Sequence, residues 1–347
     1  MWNPIESYRQ RQARNRFLPK ARPERTGRIA KASAIALVLI LAISAALELG
    51  GGNAGSGLAE QVRADGMPPL ELIERAAAAR RLVFLADIQG TPAPRQLAAQ
   101  AIEKLGTGMG LDAVALEVPA SEQPYIDLYL NTPQEDASIL LSRPRAVREG
   151  EAGFFDIYRA VRRVNDQLPP ERRMRIIALD DEDWPPLRAL SPNLLAQRFG
   201  ARDSVMQQRI LAVLERAPRA RILVFVSGLQ ALANGGARVQ TGGTRTVEAR
   251  WLAARLRELY PQDVYSILVD APGAGRARPL VATYRGTAAG PVLAEAGLAS
   301  TGVSTRVGFD FSRQPIRLGG TPGIRFELEP RTFTLADVAH GYIYLGQ

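Results

Sequence analysis

Five short apolar runs in this chain each end in side chains able to move protons, accept hydrogen bonds or bind a cation. Asp87 and Gln89 follow the first run, Glu117 the second, Asp180 and Asp181 the third, Ser227, Gly228 and Gln230 the fourth, and Asp270 the fifth. Carboxylates converging on one rim can hold a hard cation through oxygen, or shift one another's pKa to supply an acid and a base. Taken singly, Asp and Ser at such junctions also cap the helices that follow. As a set, with Glu117 just before Pro119, they point to a shared cleft.

Common phosphate and nucleophile signatures are missing. Gly106 to Gly110 reads GTGMG but does not lie between a strand and a helix start, and no Walker sequence is present. Ser227 stands in VSGLQ, outside the Gly-x-Ser-x-Gly frame, and reads as a loop hydroxyl. The chain has one histidine and no cysteine, which rules out thiolate chemistry and a histidine-rich metal site. That histidine, His340 in LADVAHGYIYL, reads as a helix-end residue favourable to the helix dipole.

The elements that must position these residues alternate. Strands are expected at Leu82 to Leu85, Ala113 to Leu116, Arg175 to Leu179, Ile222 to Val226 and Val264 to Val269. Thr91-Pro92 reads as a cap and first helical residue, opening a helix to about Leu105. Further helices are expected at Glu122 to Leu130, Phe154 to Leu168, Leu194 to Phe199, Ser204 to Glu215 and Val247 to Leu259. Continuous apolar strands separated by amphipathic helices predict an α/β fold, a mostly parallel sheet covered on both faces. Beyond Ala271 the pattern weakens, with strands expected at Leu280 to Tyr284, Ile324 to Leu328 and Tyr342 to Leu345; this stretch reads as a completing lobe of the same domain.

Charge and hydropathy add a membrane address. The 347-residue chain carries a formal charge of +9, but residues 1–31 hold nine basic side chains against Glu6 and Glu24, so +7 lies in the tail and about +2 in the rest. A nearly neutral domain has no claim on nucleic acid. Ala32 to Leu47 is uncharged and apolar, about 24 Å long as a helix, short for a bilayer core of about 30 Å but extendable by snorkelling of Lys31 and by Leu49. The reading is a basic cytoplasmic tail (1–31), a transmembrane signal-anchor (32–49), a Gly-rich linker (50–57) and an extracytoplasmic, periplasmic domain (58–347) on the inner membrane. A cleavable signal peptide is the competing reading, because Ser44-Ala45-Ala46 offers small residues at a cleavage position.

The strand ends also resemble a known family. Leu82 to Thr91, LVFLADIQGT, is similar to the opening motif of the erythromycin esterase and ChaN-like (haem-binding uptake, Tiki/TraB) superfamily: leucine, glycine, glutamate, any residue, histidine, glycine, threonine. ALEVPASEQPYIDLYL from Ala115 resembles its second motif, Arg202-Asp203 with Met206 an arginine-aspartate helix start, and ILVFVSGLQALANGG from Ile222 a later strand normally ending in glycine, two residues and histidine. Ala336-Asp337 through Tyr344 is similar to the closing phrase, so the resemblance spans about Leu82 to Leu345.

By position, the resemblance sets Asp87 at the family glutamate, Gln89 at the first histidine, Glu117 at the second glutamate and Gln230 at the later histidine. It implies hydrolysis of ester or peptide bonds, metal-assisted in some branches, and haem binding in another. Both histidine positions here hold glutamine, whose carboxamide offers only hydrogen bonds where imidazole would take a proton or ligate a metal. The expectation is a catalytically degenerate domain binding a small or peptide ligand at Asp87, Gln89, Glu117, Asp180 and Gln230, with no cofactor. The alternatives are a hydrolase using Asp87 and Glu117, with or without a divalent cation on oxygen ligands, and an envelope interaction protein working through another surface. Haem ligation is not assignable.

Overall fold

The computed structural model describes residues 64–87, 92–147, 152–181, 192–234, 236–241, 245–271, 281–282, 306–312, 324–326, 329–333 and 339–345. For 192–199, 236–241, 245–249, 270, 281–282, 324–326 and 329–333 only the backbone is described. All of these belong to one unit, Ala54–Gln347. The tail, the apolar segment 32–49, the linker, Gln89 and Thr91 lie outside the described residues. Among the described residues no helix is long and apolar enough to cross a membrane.

The chain opens with α1 (Pro69–Ala79), β1 (Leu82–Asp87), α2 (Pro92–Gly108), β2 (Ala113–Pro119), α3 (Gln123–Asn131), α4 (Ser138–Leu141), α5 (Phe154–Asn165) and β3 (Arg175–Asp180). It continues through α6 (Pro192–Arg216), β4 (Ile222–Ser227), β5 (Gly236–Thr241), β6 (Arg245–Arg250), α7 (Leu252–Leu259) and β7 (Val264–Asp270). The last strands are β8 (Val281–Ala282), β9 (Val307–Asp310), β10 (Ile324–Phe326), β11 (Glu329–Phe333) and β12 (Gly341–Tyr344).

The main sheet runs in the order β3-β2-β4-β1-β7-β12-β9, parallel throughout except for the antiparallel β12–β9 pair. The fold is therefore α/β, a mostly parallel sheet flanked by helices. Alternation along the strands sends Leu82, Phe84, Ala86, Ile222 and Val224 against Met206, Ile210 and Leu214 of α6 and Leu252 of α7. Val83, Leu85, Leu223 and Phe225 turn the other way, onto α1, α2 and α5 through Ile73, Ile102, Ile157 and Val161. Each such Val, Leu, Ile, Phe or Met side chain, fully buried, contributes about 1.5–3 kcal/mol, and continuous burial on both faces is why the strands read as unbroken apolar runs. A Cβ added at Gly106 would sit 2.8 Å from Val164 Cγ1, so that glycine sets how closely α2 approaches α5. Gly110 has φ +74°, a left-handed turn two residues beyond α2; the GTGMG stretch therefore closes a helix instead of opening one.

Three expectations are corrected. The two helices expected at Leu194 to Phe199 and Ser204 to Glu215 are one, α6. Gly200 in its interior costs about 1 kcal/mol relative to alanine, less than the packing of Met206, Ile210 and Leu214 returns. The helix expected at Val247 to Leu259 begins only at Leu252, because Arg245–Arg250 pairs antiparallel with Gly236–Thr241, from Thr241 against Arg245 to Gly236 against Arg250. The C-terminal stretch adds more strands than expected: β12 and β9 extend the main sheet, while β8, β10 and β11 form a small antiparallel sheet.

Candidate functional site

The carboxyl ends of four neighbouring strands carry the rim. Asp87 of β1 lies in register with Ser227 of β4, and Pro119 of β2 with Asp180 of β3. The register of β2 shifts between Leu116 and Pro119, so Glu117 sits in the irregular stretch.

What gathers there is a buried ionic network centred on Arg202 of α6. Its guanidinium is 5% exposed and grips Asp180 as a fork, Nε to Oδ1 at 2.6 Å and Nη2 to Oδ2 at 2.7 Å. The same Nη2 donates to Glu117 Oε1. Burial alone would lower the pKa of Arg202, but Glu117 and Asp180 outweigh it and hold the pKa above its ordinary value, so the guanidinium stays charged. The second oxygen of Glu117 accepts the Ser227 backbone N–H at 2.7 Å. Arg209, two turns further along α6, donates to the Asp180 carbonyl at 2.8 Å and pins the end of β3.

From Glu117 the network continues to Gln230. Ser227 Oγ lies 3.1 Å from Glu117 Oε1 and 2.6 Å from Gln230 Oε1. Gln230 Nε2 donates to Asp203 Oδ1 at 3.4 Å, which sets the orientation of the amide. Asp203 is fully buried and its Oδ2 has no hydrogen-bond partner among the described residues. Burial pushes this carboxyl up to about 7, with Arg202 and the Gln230 amide pulling the other way.

Asp87 belongs to a different environment. It shares the sheet face of Val83 and Leu85 and pairs at 3.3 Å with Arg95 of α2, a side chain 1% exposed that also donates to the Ala152 carbonyl. Glu117 pairs with α6, on the opposite face. The structure thus joins Glu117, Asp180 and Gln230 through Arg202, Ser227 and Asp203, and places Asp87 with Arg95. Arg202 and Asp203 stood out in sequence only as a helix start, and Arg95 not at all. A lone arginine or aspartate on the inner stripe of a helix is the signal that would have found them, since such a residue must meet a buried partner.

The histidine has a defined backbone partner. His340 directly precedes β12, where its Nδ1 accepts the Ser266 backbone N–H at 3.0 Å and its backbone N–H donates to the Ser266 carbonyl; residues 334–338 before it lie outside the described residues. Ser266 lies within β7, so the imidazole sits short of the rim. Burial drives its pKa down to about 4, and a ring accepting at Nδ1 is neutral. The unfolded chain takes up that proton first, so stability falls as pH drops from about 6.5 through about 4. His340→Gln is expected to remove about 3 kcal/mol of this acid loss, at ~1.4 kcal/mol per pKa unit, in urea titrations at pH 7 and pH 4.

A Bacillus cereus protein superposes with TM-score 0.55 at 11% identity, over 84% of this chain and 97% of that one. A histidine-to-asparagine variant of the erythromycin esterase EreC in its open conformation gives 0.53 at 12%, over 80% and 93%. A succinoglycan biosynthesis protein gives 0.58 at 9%, over 84% and 96%. The chain shares its fold with these proteins. No protein-family profile and no curated protein sequence matches it.

A metal has little room in this arrangement. Among the described residues no group of three or more His, Cys, Asp or Glu side chains could hold one. Between Glu117 and Asp180, where a hard cation would need their oxygens, the Arg202 guanidinium already serves both.

Proposed function

We propose that this chain is a catalytically degenerate relative of the erythromycin esterase and ChaN-like proteins, which binds a small or peptide ligand at the strand-end rim. Residues 32–49 tether it to the inner membrane, with the basic tail in the cytoplasm and the domain in the periplasm. The observation that carries the reading is the lock on Gln230, whose carboxamide faces Ser227 on one side and Asp203 on the other. An amide in that position orders its neighbours but accepts no proton, so Gln230 cannot serve the Ser227 hydroxyl as the imidazole of a motif histidine would. Glu117 is held by Arg202 and by the Ser227 N–H, so its oxygens are committed to structural partners. The polar rim then serves recognition through Asp87, Glu117, Asp180 and Gln230, and Gln89, which lies outside the described residues, is assigned to it by its place in the sequence.

One feature favours the competing reading, an active hydrolase: Asp203 is a carboxyl with a near-neutral pKa, a property common among acid-base groups. A single panel of short peptides and p-nitrophenyl esters separates the two. The expected result with the full-length chain is thermal stabilisation by a subset of the panel, lost in Gln230→Ala, and turnover no higher than that of Glu117→Gln. Turnover that depends on Glu117 or Asp203 would establish the hydrolase, and a panel without any stabilising member would remove the binding reading.

A further inference from the structure

A second cleft, of about 390 Å³, opens at the far end of the sheet from the Arg202 network, between α1, α2, β9 and the end of β12. Its floor is apolar and buried: Leu97 of α2, Val307 of β9 and Leu345, which follows β12, are each at most 5% exposed, and Met67 forms the wall before α1. Its mouth is polar, with the Gln100 amide and the Arg306 guanidinium both on the exposed edge. The volume lies at the lower end of the roughly 300–1,000 Å³ range of ligand sites. An apolar floor beneath a few convergent polar groups, one of them cationic, is the chemistry of a pocket for an amphiphile with one chain and an anionic head. A two-chain lipid would need more volume, and a wholly polar ligand would leave the floor without a partner.

We infer that this cleft binds the single acyl chain of a fatty-acid carboxylate, with the head at Arg306 and Gln100. The site is independent of the rim. Arg95 turns from α2 toward Asp87, whereas Leu97 and Gln100 of the same helix turn to the cleft.

The test is photolabelling of the full-length chain in phosphatidylcholine vesicles with a diazirine-bearing palmitate, followed by peptide mapping. Label is expected on the peptides around Met67 and Leu97, displaced by palmitate but not by hexadecanol, which lacks the charge. Arg306→Glu should reduce labelling roughly tenfold, the range of a charge-assisted hydrogen bond. Leu97→Trp should abolish it; Gln100→Trp, at an exposed position that tolerates the larger side chain, should block the mouth and do the same if the buried substitution prevents folding. Label spread evenly along the chain or confined to residues 32–49, equal displacement by hexadecanol, or undiminished labelling of Gln100→Trp would each overturn the inference.

Discussion

Replacing Arg202 with methionine is expected to destabilise the domain by about 3–5 kcal/mol, a large part of the roughly 5–15 kcal/mol that holds a domain folded. The loss comes less from the ion pairs themselves than from what they leave behind. Glu117 and Asp180 are 7% and 8% exposed, and without the guanidinium two carboxylates face each other with little solvent. Arg202→Lys should fall between, because an ammonium restores the charge but cannot make the Nε and Nη2 fork to Asp180 while also reaching Glu117. The measurement is urea unfolding at pH 7 and pH 4. In Arg202→Met the penalty comes from two facing negative charges, so it is full at pH 7 and shrinks as acid neutralises them. Adding Glu117→Gln and Asp180→Asn to Arg202→Met should recover most of the loss. If Arg202→Met unfolds within 1 kcal/mol of the parent at pH 7, the network is not the structural centre of the rim.

How much of this could be read from the sequence depends on where each residue's partner lies. The five parallel strands were legible because burial on both faces forces unbroken apolar runs such as LVFLA and ILVFV, and their polar C-terminal neighbours Asp87, Glu117, Asp180 and Ser227 followed from the architecture. The hairpin of β5 and β6 was not, because RTVEAR satisfies a helical window as well as a strand, and only its pairing with the preceding GARVQT, Thr241 against Arg245, decides between them. Gly200 misled for a similar reason, since its local cost is visible in sequence and the packing that outweighs it is not. In the site, sequence could name Glu117, Asp180 and Gln230, yet not that Arg202 binds two of them and Asp203 the third: those partners are 22 to 85 residues apart. Nor could it tell that Asp87 faces α2, because strand parity becomes meaningful only once the helices are assigned to faces.

Asp203 is where the two readings of the site diverge, and its pH dependence is the second large expected effect. Its folded pKa near 7 stands above the ordinary 3.8, so between those values the folded chain holds a proton that the unfolded chain has released. Stability from this group is therefore fully present below about pH 4 and is lost as pH rises through about 7, a loss on the order of 4 kcal/mol at ~1.4 kcal/mol per pKa unit. His340 works with the opposite sign between about 4 and 6.5. In that window the two contributions oppose each other in the wild type, and above pH 6.5 that of Asp203 acts without the His340 offset. Subtracting the Asp203→Asn curve cancels the His340 contribution and exposes the full slope of Asp203, provided the sites act independently. Above pH 7 the wild type holds a carboxylate whose Oδ2 has no hydrogen bond among the described residues, and asparagine, neutral at every pH, should be the more stable of the two there despite the extra donors it brings. A wild-type stability that changes with pH in parallel with Asp203→Asn from pH 4 to pH 8 would mean that this carboxyl titrates normally, and with that the one feature favouring proton transfer at the rim would disappear.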